Sequence, residues 1–159
     1  MAISRSSKSD EQKAITDETY TPPWLFDILG VQFDLDVASP VEPLSWHIPA
    51  HNRYTIEDNA LEQPWHGKVW MNPPYSKATP WVSRFLEHNN GIALLPFTRG
   101  KWFTQLWQSD AAFALPTNGE KLFTFVTRDG KNKGIFMPVA LIAMGDECKQ
   151  ALHNIGRIR

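Results

Sequence analysis

The sequence predicts an α/β protein built around one sheet that contains parallel strands. Short apolar runs alternate with segments of helical spacing, which is the pattern of such sheets. The run Val69-Trp70-Met71 is apolar throughout, as is typical of a strand covered on both faces. The 159 residues, 42% of them hydrophobic, can bury one sizeable core and leave little room for a second. We therefore expect a single domain.

Each predicted element has a local signal. Thr21 and Pro22 are a suitable N-cap and first helical residue, and the apolar stripe after them stops at Gly30. By the same logic a helix begins at Thr79-Pro80 and stops at residues 89–91. Further helices are expected at residues 101–108 and 146–154, and strands at residues 33–37, 69–71, 92–95, 111–115, 121–126 and 139–144. Four prolines in residues 38–65 forbid a long regular element there, so strands in this stretch should be shortened or missing.

Asn72-Pro73-Pro74-Tyr75 directly follows the predicted strand 69–71, at its carboxyl end, where a ligand loop belongs. The two prolines restrict the backbone, so the Asn72 side-chain carbonyl and a main-chain carbonyl can point the same way. Two acceptors facing one spot suit an NH2 group, and Tyr75 offers a flat face for a base taken out of the helix. The motif therefore predicts methyl transfer to an amino nitrogen. The same four residues are also good turn material, which the letters alone leave open.

From about Tyr20 to Met144 the sequence resembles the phage-type DNA N6-adenine methyltransferases, often called Dam-like. The similar segments, in order, are residues 20–26, 33–38 and 58–61 with Trp65, then 69–75, 94–96 leading to Arg99, 102–103 and 121–123. The resemblance implies a Rossmann-like S-adenosylmethionine-dependent methyltransferase fold, with the sheet reduced between the cofactor strand and the catalytic strand. We expect residues 20–159 to form this domain and residues 1–19 to be a disordered tail.

The resemblance also implies the reaction and its residues. S-adenosylmethionine is the expected cofactor, and the expected substrate is the exocyclic amine of a flipped adenine in double-stranded DNA, with GATC a reasonable guess for the sequence. Asn72, Pro73, Pro74 and Tyr75 correspond to the catalytic loop. The expected cofactor contacts are Thr21 and Pro22 in a helix-opening motif, Asp34 or Asp36 near the methionine or ribose part, and Asp58 and Asn59 near the cofactor's adenine.

Two features of the sequence qualify these roles. Apolar and acidic residues alternate in residues 33–37, which predicts a half-buried strand with a wet face, and Asp36 is the better candidate because it is nearer the strand's end. A glycine-rich Phe-x-Gly-x-Gly loop, which most methyltransferases place after the first strand, is absent from the sequence. Alternatives remain open: an N4-cytosine or RNA amino-methyltransferase, which shares the signature, or a catalytically decayed DNA-binding relative. Asn rather than Ser at position 72 leans toward adenine.

Charge is distributed unevenly along the chain, although the formal net charge is only −1. Residues 1–66 have a net charge of −7, residues 67–98 of +2 and residues 99–159 of +4. Basic residues cluster in two loop-like segments after the catalytic motif, which predicts DNA-phosphate contacts at Arg99, Lys101, Arg128, Lys131 and Lys133. A solvated lysine-bearing hairpin is the alternative for the second segment.

Composition excludes several other classes. One cysteine, Cys148, allows neither an intramolecular disulfide nor a thiolate zinc site, and the five histidines lack metal-ligand spacing, so we expect no metal. No proline precedes Cys148, which argues against a C5-cytosine methyltransferase. The sequence has no run of about 20 apolar residues and no apolar signal peptide, so we expect a cytoplasmic protein, in the host cytoplasm if phage-encoded. Of the seven tryptophans, we expect Trp24, Trp81, Trp102 and Trp107 in the core, and Trp65 and Trp70 packed under the catalytic strand.

Overall fold

A six-stranded sheet lies at the centre of the computed structural model, which describes residues 21–41, 48–96, 100–118, 121–122 and 139–155. The strands are β1 (Phe33–Asp36), β2 (Ala50–Arg53), β3 (Val69–Met71), β4 (Gly91–Pro96), β5 (Ala112–Ala114), β6 (Thr117–Asn118), β7 (Lys121–Leu122) and β8 (Val139–Met144). The helices are α1 (Pro23–Leu29), α2 (Ala78–His88), α3 (Lys101–Gln108) and α4 (Asp146–Ala151). The predicted tail and residues 123–126 of a predicted strand lie outside the described residues.

The sheet has the order β2-β1-β3-β4-β8-β5, and β6 and β7 form a separate pair. The first four strands in this order are parallel, whereas β8 runs antiparallel to both β4 and β5. The chain moves from β1 to β2 on one side and then returns to β3 on the other. The order therefore reverses between β1 and β3, and at such a switch point the carboxyl ends of the strands leave a crevice for a ligand. The predicted α/β architecture with parallel strands is confirmed.

Helices cover both faces of the sheet and create two core layers. On one face, α1 and α4 pack over Trp70, Ile92 and Leu94. On the other face, α2 and α3 pack over Val69, Met71 and Ala93 and the residues around them. Every residue of β3 is buried, because successive side chains enter opposite layers. This burial confirms the prediction for residues 69–71 and fixes the strand from which the Asn72 loop departs.

The predicted ends of α1, α2 and α3 are confirmed, whereas α4 ends at Ala151 and residues 152–154 form a 3-10 turn; the predicted starts of α1 and α2 are wrong. Gly30 (φ 65°) and Asn89 (φ 58°) end α1 and α2 in the left-handed conformation that glycine and asparagine tolerate. Pro22, not Thr21, is the N-cap of α1 and makes no side-chain cap. Thr79 lies inside the first turn of α2, because the chain already turns at Tyr75–Lys77, a single 3-10 turn that runs directly into the helix.

The predicted wet face of β1 is wrong at Asp36, which is 1% exposed. The backbone N–H groups of Asp34 and Leu35 both donate to the Lys68 carbonyl, at 2.8 and 3.3 Å. This shared acceptor lies one residue before β3 begins and departs from the regular parallel ladder. Phe33 and Leu35, two residues apart, accordingly pack in different core layers. This irregularity cannot be predicted from the residue types in the strand.

Between β1 and β3, the described residues hold only short elements. They are the four-residue strand β2 and two single 3-10 turns, Ile56–Asp58 and Ala60–Glu62. This agrees with the expectation of a shortened structure there. Trp65 and Trp70 are buried as expected, whereas Trp107, predicted in the core, is 43% exposed and rests its ring on Phe113. None of the helices within the described ranges is long and apolar enough to cross a membrane.

Candidate active site

The carboxyl ends of β1 and β3 bring Asp36 and Asn72 to the switch point. Asp36 is paired with Trp70 in the parallel register, and Asn72 lies two residues beyond Trp70. Strand spacing and rise then put the two Cα atoms about 8 Å apart at one edge of the sheet. A buried carboxylate and an amide thus lie within the span of one small ligand.

Within the Asn72–Tyr75 loop the polar groups have different partners. The Pro74 carbonyl accepts the Lys77 N–H at 3.1 Å and so closes the turn before α2. The Asn72 side chain is half-buried and, among the described residues, forms no side-chain hydrogen bond. Because Pro74 is engaged in the turn, the Pro73 carbonyl is the better main-chain acceptor beside Asn72. The prediction that these two carbonyls act as paired acceptors for an amino group stays a prediction.

Tyr75 is held at both ends of its side chain. Its ring contacts residues of both core layers, and its hydroxyl donates to the Leu94 carbonyl on β4 at 3.1 Å. Burial raises the pKa of the Tyr75 phenol well above its ordinary value. The phenol therefore stays protonated at neutral pH and remains a hydrogen-bond donor. The role of Leu94 was not found from the sequence, because it acts through its backbone.

Asp36 shapes the loop that follows β1. One carboxylate oxygen accepts the Ala38 N–H at 3.3 Å, which is the local bond of an Asx-turn. The Asp36 backbone carbonyl accepts the Tyr54 N–H at 2.8 Å and so joins the ends of β1 and β2. Burying a carboxylate is costly unless it is hydrogen-bonded or paired. Asp36 has further interactions in this structure, and its position at the carboxyl end of β1 is what makes it a candidate for binding a cationic or hydroxyl-bearing ligand.

Asp34 lies elsewhere. Its carboxylate accepts the Lys68 N–H at 2.8 Å, one residue before β3 begins, which is the edge of the sheet opposite to Asn72. Gly67, with φ 64°, packs so tightly on the Asp34 side chain that an added Cβ would collide with it. Of the two aspartates considered for the cofactor, the structure therefore brings only Asp36 to the switch point and gives Asp34 a role in fixing the turn into β3.

Thr21 and Pro22 are both buried and precede α1. The Phe26 ring of α1 lies edge-on to Trp70, with centroids 4.8 Å apart, and the end of α1 at Leu29 is only a few residues before β1. Since the helix ends near the amino edge of β1 and its middle covers Trp70, its first turn extends toward the carboxyl edge. This places Thr21 and Pro22 on the side of the sheet where Asn72 departs.

Asp58 and Asn59 form a turn at the carboxyl end of β2. The Asp58 carboxylate accepts the Thr55 N–H at 2.8 Å, and the Thr55 hydroxyl accepts the Glu57 N–H, so a capping box closes the turn. Asn59 has φ 55° and links the two 3-10 turns. Both side chains are exposed. The turn lies on the edge of the sheet that carries Asp36, but the Asp58 carboxylate is directed to its own backbone.

Of the five basic residues predicted to contact DNA, only Lys101 is described. It is exposed and is the first residue of α3, which follows the carboxyl end of β4. Arg99, Arg128, Lys131 and Lys133 lie outside the described residues. Across the described ranges, no three His, Cys, Asp or Glu side chains form a group that could hold a metal ion.

The fold is that of an α/β protein whose strand order reverses between β1 and β3, and the Asn72–Tyr75 loop leaves the carboxyl edge of the sheet at this point. The chain belongs to the DNA N-6-adenine-methyltransferase (Dam) family, whose model matches residues 8–143. The resemblance found in the sequence is thereby confirmed.

Two phage proteins are similar to this chain, and both are named DNA N-6-adenine-methyltransferase. The protein of Haemophilus phage HP1 is 33% identical over 108 residues, which are 61% of this chain and 60% of that protein. The protein of Escherichia phage T1 is 38% identical over 88 residues, which are 50% of this chain and 35% of that protein. The similar region therefore spans about 60% or less of these relatives. No solved structure matches the chain significantly.

Proposed function

We propose that this protein transfers a methyl group from S-adenosylmethionine to the exocyclic N6 of an adenine flipped out of double-stranded DNA. The observation that carries the proposal is the Asn72–Tyr75 loop at the β1/β3 switch point of a chain in the Dam family. The names of the phage relatives support adenine N6 in DNA as the substrate. We also propose that the fold is Rossmann-like and that the protein is located in the cytoplasm.

The residues at the switch point fit the proposed cofactor. S-adenosylmethionine, when bound, supplies a methyl group on a sulfonium, and it also carries an ammonium and ribose hydroxyls. The buried Asp36 carboxylate is the group of this chain that would pair with the ammonium or a ribose hydroxyl. Thr21 and Pro22 would border the same end of the site, and the Asp58–Asn59 turn would lie near the adenine. The acidic balance of residues 1–66 favours a ligand with cationic groups.

For the reaction, the Asn72 side-chain carbonyl and the Pro73 carbonyl accept hydrogen bonds from the target amine. These bonds orient the amine and leave its lone pair directed at the methyl carbon, so that direct displacement needs no protein nucleophile. As the C–N bond forms, the methyl C–S bond would break, and its electron pair would stay on the sulfur of the departing neutral thioether. The amine loses its proton after methyl transfer, so a strong general base is not required, in agreement with a loop that contains neither His nor Glu. Tyr75 would support the flipped base through its ring face.

We propose that phosphates are held by Arg99, Lys101, Arg128, Lys131 and Lys133. Basic residues outnumber acidic residues in residues 99–159, which supports phosphate contacts in this part of the chain. Lys101 is the first residue of α3, the helix that follows β4. GATC is the first sequence to test as the target site.

The test is in two stages. Calorimetric titration with S-adenosylmethionine should show one site per chain, and tritiated methyl groups should then appear in unmethylated double-stranded DNA but not in RNA of the same base composition. A chain that binds DNA but not the cofactor would instead be a decayed relative, and label in RNA would indicate an RNA amino-methyltransferase.

A further inference from the structure

The Asn72–Tyr75 loop begins where the pairing of β3 with β4 stops. The register pairs Val69 with Gly91 and Met71 with Ala93, and the Val69 N–H donates to the Asn90 carbonyl at 3.1 Å. Backbone groups on one side of a strand recur at every second residue. Val69 and Met71 therefore face β4, whereas the Trp70 carbonyl faces the other way and accepts the Val37 N–H at 3.1 Å. The next position that faces β4 is residue 73.

The same two-residue step on β4 identifies the partner that residue 73 would have. Since Asn90 accepts from Val69, the ladder assigns the Ile92 carbonyl to Met71 and the Leu94 carbonyl to residue 73. Residue 73 is proline and has no N–H to donate. Leu94 is 0% exposed, so its carbonyl would be left without a partner in the core, at a cost comparable to a lost hydrogen bond. Tyr75 donates its hydroxyl to this carbonyl.

We infer that the Tyr75 hydroxyl replaces the backbone donor that Pro73 lacks, and that this bond to Leu94 positions the Asn72 side chain and the Pro73 carbonyl for the target amine. Tyr75 is thus a positioning residue through its hydroxyl, in addition to any role of its ring. The bond fixes the loop on both sides of Pro73 and Pro74, because β3 holds it at Met71 and β4 holds it at Tyr75. Burial keeps the phenol protonated, so the donor persists across the neutral pH range.

The effect on catalysis rests on the proposed function, whereas the hydrogen bond does not. The test therefore uses one readout for each. Tyr75→Phe keeps the ring face and removes only the donor. We expect turnover on unmethylated DNA to fall about 10-fold, with the KM values for DNA and cofactor within about 3-fold of wild type, because the acceptors are displaced rather than lost. We also expect the Tm to fall by about 3 to 8 °C, because the Leu94 carbonyl is left unpaired in the core.

Tyr54→Phe is the matched control. The Tyr54 hydroxyl also donates to a backbone carbonyl, that of Pro64 at 2.8 Å, but this bond lies outside the catalytic loop. We expect Tyr54→Phe to change turnover by less than about 2-fold. Turnover and Tm of Tyr75→Phe that match those of wild type would overturn the inference. A lowered Tm with unchanged turnover would show that the Tyr75 hydroxyl only stabilises the fold, and would refute its positioning role.

Pro73→Ala tests the replacement of the backbone donor directly, since it supplies an N–H at the position facing Leu94. The Tm loss caused by Tyr75→Phe should then be less than half as large in the Pro73→Ala background as in the wild-type background. Equal losses in both backgrounds would show that residue 73 and Tyr75 do not share one acceptor, and would overturn the inference. This comparison needs no methylation, so it remains decisive even if the protein transfers no methyl group.

Discussion

At the scale of single residues, Asn72 and Tyr75 act on different partners although they belong to one loop. Tyr75 is turned to the sheet, where its hydroxyl meets Leu94, whereas the half-buried Asn72 amide has no hydrogen bond in the described part of the chain. A polar side chain that the fold does not use is available for a ligand. This division explains why the proposed chemistry depends on Asn72 while the loop's shape depends on Tyr75.

Asn72→Ala should lower turnover by about 10²-fold or more, because it removes an acceptor whose bond strengthens as the amine attacks. Cofactor affinity should stay nearly unchanged. Steady-state methyl transfer and calorimetry measure the two effects. Asn52→Ala, an exposed asparagine on β2, is the control and should behave like wild type. Activity of Asn72→Ala within a few-fold of wild type would remove Asn72 from the mechanism.

Substitution of Asp36 should weaken cofactor binding, whereas substitution of Asp34 should lower stability. Asp36→Ala should weaken cofactor binding at least 10-fold without changing DNA affinity, because a charged partner in a buried site is lost. Asp34→Ala should leave cofactor binding unchanged and lower stability by about 1 to 2 kcal/mol, because the Lys68 N–H loses its acceptor. Calorimetry and chemical denaturation measure the pair. Cofactor affinity lowered equally in both variants would refute the assignment.

The sequence predicted the Asn72–Tyr75 loop and favoured Asp36 over Asp34 because Asp36 is nearer the strand's end, but it could not show what either carboxylate contacts. The four residues from Asn72 to Tyr75, which follow an apolar run, were enough to predict the loop. The proposed chemistry depends on their side chains and on prolines that lack an N–H group. Asp34 and Asp36 look alike in an alternating strand. Their difference depends on the Lys68 backbone, which pairs with Asp34 and Leu35, and on the tight turn at Gly67, and both arise only when β1 and β3 pair.

At the scale of secondary-structure elements, α4 holds the buried Cys148 against the sheet. Burial is the main cause that raises the pKa of the Cys148 thiol from 9.0 to about 11, while nearby Lys68 lowers it slightly. As the pH rises, the Cys148 thiol therefore loses its proton at a lower pH in the unfolded chain than in the folded protein. The stability that the buried thiol contributes is complete below pH 9 and is lost progressively between pH 9 and about 11.

Between pH 9 and about 11, the free energy of unfolding of wild type should therefore fall by about 2 to 3 kcal/mol more than that of Cys148→Ala. Urea denaturation at several pH values gives both slopes. The comparison of slopes is needed because Cys148→Ala also changes packing at every pH. Parallel slopes for the two proteins would contradict the buried, neutral thiol.

The ends of α1 and α2 and the starts of α3 and α4 were predictable, whereas the starts of α1 and α2 were not. Gly30 and Asn89 end their helices in backbone conformations that few other residues tolerate, so these residue types are specific signals of a helix end. Thr21 and Thr79 were suitable N-caps by type, but the turns before α1 and α2 are set by Pro22 and by the 3-10 turn at Tyr75–Lys77. A cap residue indicates a helix start only if the preceding chain leaves it extended.

At the scale of the whole molecule, the alternation of strands and helices was enough to predict a sheet that contains parallel strands. The place of β8 was not predictable, because an apolar run shows neither its neighbours nor its direction, and β8 enters antiparallel between β4 and β5. The switch point was therefore visible only once the order of strands was known. The carboxyl edge of the sheet at this point is where the residues of the proposed site, which come from segments next to α1, β1, β2 and β3, are expected to meet.

The uneven charge of the chain predicts how it should hold DNA. Removal of Lys131 and Lys133 together should flatten the slope of log affinity against log salt by about one to two units and weaken all DNA sequences about equally. Fluorescence anisotropy at several salt concentrations measures the slope. Lys149→Ala is the control, because Lys149 is paired with Asp110 at 3.2 Å. An unaltered slope in the double variant would move the DNA path to another face.

The most direct test of the central claim is the identity of the nucleoside that this protein methylates. Unmethylated double-stranded DNA is incubated with the wild-type protein and S-adenosylmethionine, digested to nucleosides and analysed by mass spectrometry, with Asn72→Ala in parallel. We expect N6-methyldeoxyadenosine as the product, reduced about 10²-fold or more with the variant. N4-methyldeoxycytidine, or no methylated nucleoside from a protein that binds both DNA and cofactor, would contradict the proposed function.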